Sequence, residues 1–420
     1  MSFNSADTPV DALSDWLMEQ ALSEPELEEL VEGCNRRLHA AGIPVSRSII
    51  TSPILHPLYR SFTVVWTLEK GIETTYHVHD SINREAWIAS PLRYILMHHL
   101  PLLRRQLAGE NAVLDFPVLE ELAESGMTDY LCYLIPFGED QAANMEQDEF
   151  GSGIIGSWST DRANGFSDTD LRALNRVQQR LAVAIKMCVK DKIAENILET
   201  YLGQGAGRKV LNGQIQRGDG ERIYSVIWYS DLRGSTTLAD HTSGDNYIEL
   251  LNCYFECTAN AVLENQGEVL RFPGDAVLGI FPINQQTSSS QACLNALKAA
   301  TSAFERLNVL NKTRADSNEA PLDFGIGLHV GDVLFGNIGV PQRLEFSVIG
   351  PAMNETARLE SLTKSLNADI LTSENFVKHL KDSHCKTIGE CKLLGEYQLH
   401  GIDKPMNIYE YHSKTSGLKK

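Results

Sequence analysis

This chain predicts an α+β fold in two domains, and three observations carry the prediction. Its 420 residues exceed what one ordinary core organises, so two units of roughly 200 residues each are the natural division. Apolar runs of strand length alternate with amphipathic stretches at helical spacing along both halves. Turn signals at Lys70-Gly71 and Pro273-Gly274 separate neighbouring strands closely enough for hairpins, which favours antiparallel sheet. The division expected is a first domain over 1–190, a linker helix over 191–215 and a second domain over 216–415.

Composition narrows the function classes. A hydrophobic content of 43% with 22% charged residues is that of an ordinary globular protein. The net charge of -18 opposes a broad phosphate-backbone surface, so nucleic acid is a poor partner. No apolar run approaches the roughly 20 residues needed to cross a bilayer. The start, MSFNSADTPVDAL, lacks the basic and apolar regions of a signal peptide. Eight cysteines without a CxxC pair read as reduced thiols, and Cys253 with Cys257 as packed side chains. A cytoplasmic location is expected.

Taking the elements in order, the first 45 residues read as helical, with Ser23-Glu24-Pro25-Glu26 as a capping box ahead of Leu27, Leu30 and Val31. Phe62–Thr67 and Thr75–Val78 read as strands, Pro91–Leu107 as a helix despite Pro101, and Leu131–Phe137 and Gly153–Trp158 as further strands. Ser167-Asp168-Thr169-Asp170 starts a helix. Its stripe of Leu174, Val177, Leu181, Ala184 and Cys188 suits packing on the parent domain or, alternatively, a two-helix stalk. Glycines 203, 205, 207 and 213 end it. The run from Gly153 to Arg162, followed by Gly165-Phe166-Ser167-Asp168, resembles the last strand and final helix of GAF domains. That resemblance spans roughly Leu27–Val189 and implies a sensory or dimerising domain whose ligand is unknown. His77, His79, His98 and His99 read as packing or surface histidines, since no acidic or Cys cluster accompanies them.

The second half carries the chemistry. Ile223–Ser230 is a strand that ends at Asp231, followed by the turn Leu232-Arg233-Gly234-Ser235-Thr236 into a helix. Val269–Phe281 reads as a hairpin with Asp275 at its tip. Each aspartate alone is an ordinary turn residue. Two strand-end carboxylates joined by one amphipathic helix, Tyr247–Leu263, can meet at one sheet edge and hold two divalent ions for attack on a phosphoryl group. A third element, Phe346 to Glu360, turns at Gly350-Pro351 into a helix. It presents Asn354 and Arg358 on one face, a pairing suited to a ribose oxygen and a charged phosphorus centre.

Ser230-Asp231-Leu232-Arg233-Gly234-Ser235-Thr236, Phe272-Pro273-Gly274-Asp275 and Ser347-Val348-Ile349-Gly350 with Asn354 and Arg358-Leu359-Glu360 resemble, in this order, the motifs of class III adenylate/guanylate cyclases. Gly325–Val333 and Leu394–Gly401 resemble two supporting stretches of that family, and the likeness runs from about Tyr224 to Tyr411. The resemblance implies a ferredoxin-like catalytic domain that acts as a homodimer with shared sites. It implies two Mg²⁺ or Mn²⁺ ions on Asp231, Asp275 and the Leu232 carbonyl. It further implies phosphate binding by the backbone of Gly234, Ser235 and Thr236, with Asn354 and Arg358 catalytic from the partner chain.

Two departures from the family pattern bear on substrate. Arg271 stands where the family usually has Lys, and Ser347 where it has Asp or Thr; both positions read the base. Arg271 can donate to the adenine ring acceptor, so ATP, giving 3′,5′-cyclic AMP, is the expected substrate. CTP and GTP are the alternatives. His400 occupies the position of a phosphate-binding Lys, with Arg343 or Lys404 as substitutes. A catalytically inactive nucleotide-sensing module is the non-enzymatic rival. A diguanylate cyclase does not fit, because no GG[DE]EF-type turn occurs.

Overall fold

The computed structural model describes residues 7–23, 25–79, 84–138, 152–380, 389–402 and 404–414, and these divide into two compact units, 1–197 and 198–420. In the first, α1 (Asp7–Gln20) and α2 (Leu27–Ala40) precede β1 (Arg47–Pro53), β2 (Tyr59–Thr67) and β3 (Gly71–Val78). Then follow α3 (Arg84–Ile88), α4 (Pro91–Met97), β4 (Leu102–Gln106), α5 (Pro117–Glu124), β5 (Asp129–Pro136), β6 (Gly153–Thr160) and α6 (Asp168–Leu202).

The six strands form an antiparallel sheet in the order β3-β2-β1-β6-β5-β4. One core joins α1, α2 and α6 to the sheet through residues such as Leu17, Leu30, Trp66 and Leu174. A second core lies among α4, α5 and the strands β4 to β6. Leu174, Val177, Leu181 and Ala184 of the predicted stripe are buried in the first of these cores, so this part of α6 packs on its own unit. Ser167 and Asp170 cap α6 reciprocally. The Ser167 N–H donates to the Asp170 carboxylate at 2.7 Å, and the Asp170 N–H donates to the Ser167 hydroxyl at 3.2 Å.

Two local expectations are corrected. The helix expected over Pro91–Leu107 stops at Met97. His99 takes a left-handed φ of 52°, Pro101 has no N–H to continue the ladder, and Leu102–Gln106 pairs with β5 instead. Ser23 does not cap α2; its hydroxyl donates to the Gln20 carbonyl at 3.2 Å, and Glu26 is the N-cap residue. Glu24 of that expected box lies outside the described residues. As expected, the glycine-rich stretch ends α6, at Leu202; Gly203 turns the chain at φ 83°, and the short α7 (Gln204–Leu211) follows within the stretch. A Cβ on Gly207 would sit 2.9 Å from the Glu199 nitrogen, so that glycine permits a close approach of the two helices.

The second unit continues with β7 (Gly220–Leu232), α8 (Ser235–His241), α9 (Gly244–Glu264), β8 (Glu268–Arg271), β9 (Ala276–Pro282) and α10 (Ser289–Asp316). After these come β10 (Phe324–Val340), β11 (Arg343–Ile349), α11 (Pro351–Leu366), β12 (Ile370–Ser373), α12 (Glu374–His379), β13 (Gly389–Tyr397) and β14 (Met406–Ser413). Their sheet runs β13-β14-β12-β10-β7-β9-β8, with β11 paired to the far end of β10. Helices α9 and α10 cover one face through Tyr254, Val262, Ala296 and Phe304, against Trp228, Val277 and Phe324. On the other face α11 lies along β10.

Candidate active site

Strand β7 is central to its sheet, with β10 on one side and β9 on the other, so its C-terminal end is held on both edges. Asp231 pairs across with Gly325 and Ala276. Both neighbours are small, which leaves space around the carboxylate. The turn Pro273–Ala276, closed by the Ala276 N–H donating to the Pro273 carbonyl at 3.2 Å with Gly274 at φ 68°, brings Asp275 alongside. The Leu232 N–H donates to the Asp275 carbonyl at 3.4 Å. Burial, followed by the charge of Asp275, pushes the Asp231 carboxyl up to about 6. These two aspartates therefore lie together at the end of β7.

After Asp231 the turn is pinned by Arg233. Its N–H donates to the Asp323 carbonyl at 2.8 Å, and its guanidinium reaches the Asp323 carboxylate at 3.0 Å and the Ala368 carbonyl at 2.7 Å. Gly234 then adopts φ 71°, a left-handed conformation that only glycine takes cheaply, and Ser235 and Thr236 open α8. Leu232 is buried beside them.

The two positions expected to read the base also meet. Arg271 at the end of β8 donates to the Ser347 hydroxyl at 3.4 Å and ion-pairs with Glu345 at 3.1 Å. Sequence reasoning misses Glu345, although it lies two residues before Ser347 and so on the same strand face. Asn354 and Arg358 are exposed on α11, turned away from the face that packs on their own sheet. His400 is exposed in the turn after β13.

Sequence reasoning misses a further carboxylate. Glu360, 6% exposed on the inner face of α11, is pushed up to about 8 by burial and then by the charge of Asp231. The signal that could have found it is the alternation of Gly325 and Gly327. A Cβ on the first would lie 2.8 Å from the Glu360 carboxylate, and on the second 2.7 Å from its backbone nitrogen.

Paired carboxylates at a strand edge, a glycine-hinged turn beside them and an exposed Asn/Arg helix face repeat the motif order along residues 222–412. That region matches the family model of the adenylate and guanylate cyclase catalytic domain. The match covers these residues, a little under half of the chain. The chain is 28% identical over 242 residues to an adenylate cyclase of Anabaena cylindrica, covering 57% of this chain and 46% of that protein. It is 25% identical over 238 residues to adenylate cyclase 1 of Rhizobium meliloti, covering 57% of this chain and 33% of that one. The chain thus spans less than half the length of these curated relatives. Among solved structures, the adenylyl cyclase CyaB from P. aeruginosa is similar at a TM-score of 0.41 and 25% identity, over 47% of this chain and 98% of that one. No helix among the described residues is long and apolar enough to cross a membrane.

Class III cyclases use divalent metal ions, and the site suits them. Two neighbouring carboxylates, one of them raised by burial and by the other's charge, form a donor pair that a hard cation relieves.

Proposed function

We propose that the second unit is an adenylate cyclase that converts ATP to 3′,5′-cyclic AMP and pyrophosphate in a homodimer. The observation that supports it most is the Asp231–Asp275 contact at the end of β7, where burial and repulsion favour a cation over two free charges. In the reaction the ribose 3′-oxygen bonds to the α-phosphorus and loses its proton. The bond from that phosphorus to the bridging oxygen breaks, and pyrophosphate leaves. Two Mg²⁺ or Mn²⁺ ions held by Asp231, Asp275 and the Leu232 carbonyl would supply acidification of the hydroxyl and neutralisation of the triphosphate.

The chain's own groups do the remaining work. Backbone N–H groups of Gly234, Ser235 and Thr236 cradle phosphate oxygens at the start of α8. Asn354 orients the ribose, and Arg358 places its guanidinium against charge developing at the α-phosphorus. The exposure of both on α11 supports their acting on a partner's nucleotide rather than on their own chain's. His400 adds a weaker contact to the triphosphate. Arg271 donates to the adenine ring, and Ser347 lies within reach of the same guanidinium.

A second reading, GTP, draws on Glu345. Its carboxylate beside Arg271 offers an acceptor that guanine's N1–H and N2–H₂ can use. Incubating the protein with each of the four NTPs and Mn²⁺, then identifying products by mass spectrometry, separates these substrates. Cyclic AMP as the main product supports the first reading, cyclic GMP the second, and no cyclic product the inactive module. We also infer that the first unit, GAF-like in its last strand and helix, regulates the second; α6, continuous across the boundary, is the element suited to carry this.

A further inference from the structure

Residues 325, 327, 329 and 331 of β10 fall on one face of the sheet, the face on which α11 lies, and three of the four are glycines. A Cβ on Gly325 would lie 2.1 Å from the Thr363 hydroxyl, on Gly327 2.7 Å from the Thr356 carbonyl, and on Gly331 2.6 Å from the Ala352 Cβ. The glycines therefore make a smooth bed for the small residues Ala352 and Thr356. Such a bed holds α11 close but resists rolling weakly, because no side chain interlocks with the helix.

His329 is the fourth member of that row, and it is 5% exposed. Its Nε2 lies 3.1 Å from the Glu355 carboxylate on α11, and its Nδ1 lies 2.8 Å from the Ser373 hydroxyl. Ser373 is fully buried and its oxygen also accepts the Phe376 N–H at 3.2 Å as the cap of α12. With a neutral ring the donors close in one direction: Ser373 donates to Nδ1, and the Nε2–H donates to Glu355. The line of Ser, His and Glu is not a hydrolytic triad, since the buried, capping serine cannot reach a substrate. Contact with His329 also holds the Glu355 carboxyl below its ordinary range.

At about 100° per residue, Glu355 stands on the flank of α11, between the inner face of Ala352 and Thr356 and the outer face of Asn354 and Arg358. A bond on the flank fixes rotation about the helix axis, which the glycine bed leaves free. We propose that His329 is a positioning residue: through Glu355 it sets the rotation of α11 and so the aim of Asn354 and Arg358 at the partner's nucleotide. This rests on the shared-site reading of the cyclase given above.

The test places the change in one chain or the other of a full-length heterodimer. Mixing Asp231→Ala chains with Arg358→Ala chains leaves one working site, built from Asn354 and Arg358 of the former and the aspartates of the latter. Adding His329→Leu to the Asp231→Ala chain is expected to lower the recovered kcat at least tenfold, with KM for ATP changed less. The same change in the Arg358→Ala chain is expected to leave kcat within twofold. Equal losses in both placements, or none in either, overturn the proposal. If the starting mixture recovers nothing despite proven subunit exchange, the shared-site reading itself fails and takes this proposal with it. Glu355→Ala, on a partly exposed flank, must reproduce the asymmetry, which keeps the test decisive should His329→Leu not fold. His329→Gln, which retains a donor toward Glu355, should restore most of the loss.

Discussion

Asp231, near the end of β7, lies beside Asp275, the residue just before β9, and the Leu232 N–H reaches back 3.4 Å to the Asp275 carbonyl. Such a pair shares a proton or a cation more comfortably than it bears two negative charges. Because the Asp231 pKa is raised from 3.8 to about 6 in the folded protein, the folded state holds more protons than the unfolded chain between those values. The metal-free protein therefore loses stability as pH rises through that window.

Replacing Asp275 by Asn removes one of the two repelling charges. Thermal unfolding without metal should occur at an equal or higher temperature than in the wild type near pH 7. Turnover should fall by roughly 10²-fold or more, because the paired donor set is broken. A fully active Asp275→Asn protein would refute the assignment.

Cation binding competes with the proton on Asp231. The rise in Tm on adding Mn²⁺ should be small near pH 5 and grow as pH passes about 6, where Asp231 ionises. Thermal scans with and without MnCl₂ at several pH values measure this. A shift independent of pH, or one that survives in Asp275→Asn, counts against cation binding at this pair.

Gly327 lies where α11 touches β10, and a Cβ there would be 2.7 Å from both the Glu360 nitrogen and the Thr356 carbonyl. Backbone atoms cannot step aside as a side-chain tip can. Gly327→Ala should therefore cost about 1–3 kcal/mol in urea unfolding, read as a lower midpoint at unchanged m.

Glu345 and Arg271 form an exposed ion pair, which contributes little to stability. Glu345→Gln should leave Tm nearly unchanged yet raise KM for the preferred nucleotide roughly 3- to 10-fold, about 1 kcal/mol, by releasing the guanidinium. Equal kinetics for all four NTPs before and after the change would separate this pair from base recognition.

Chains lacking Asp231 and chains lacking Arg358 should each be inactive alone. Mixed in equal amounts with free exchange, they should recover about a quarter of wild-type activity, since half of the dimers would carry one good site of two.

Much of the second unit's site is legible in the amino-acid sequence, because it depends on neighbours along the chain. The strand ending at Asp231, the hairpin carrying Asp275 and the four-residue spacing of Asn354 and Arg358 follow from local periodicity and turn chemistry. So does the start of α6, where Ser167 and Asp170 lie three residues apart. Local rules mislead where two of them compete. Around Pro101 an apolar run suits a helix or a strand equally, and pairing with β5 settles it. Near Gly203 glycine content marks the end of α6, and close packing against Glu199 uses the missing side chain of Gly207 to place α7.

Contacts between distant segments are beyond the reach of periodicity. Arg271 meets Ser347 across 76 residues, Ser373 meets His329 across 44, and Glu360 lies within electrostatic range of Asp231. Nothing in the spacing of those residues encodes their partners. They meet because the sheet order places β10 beside β7 and lays α11 along a row of glycines, so register and helix rotation choose the neighbours. Residue type along the chain named the chemistry; the packing of strand against strand and helix against sheet selected which groups share it.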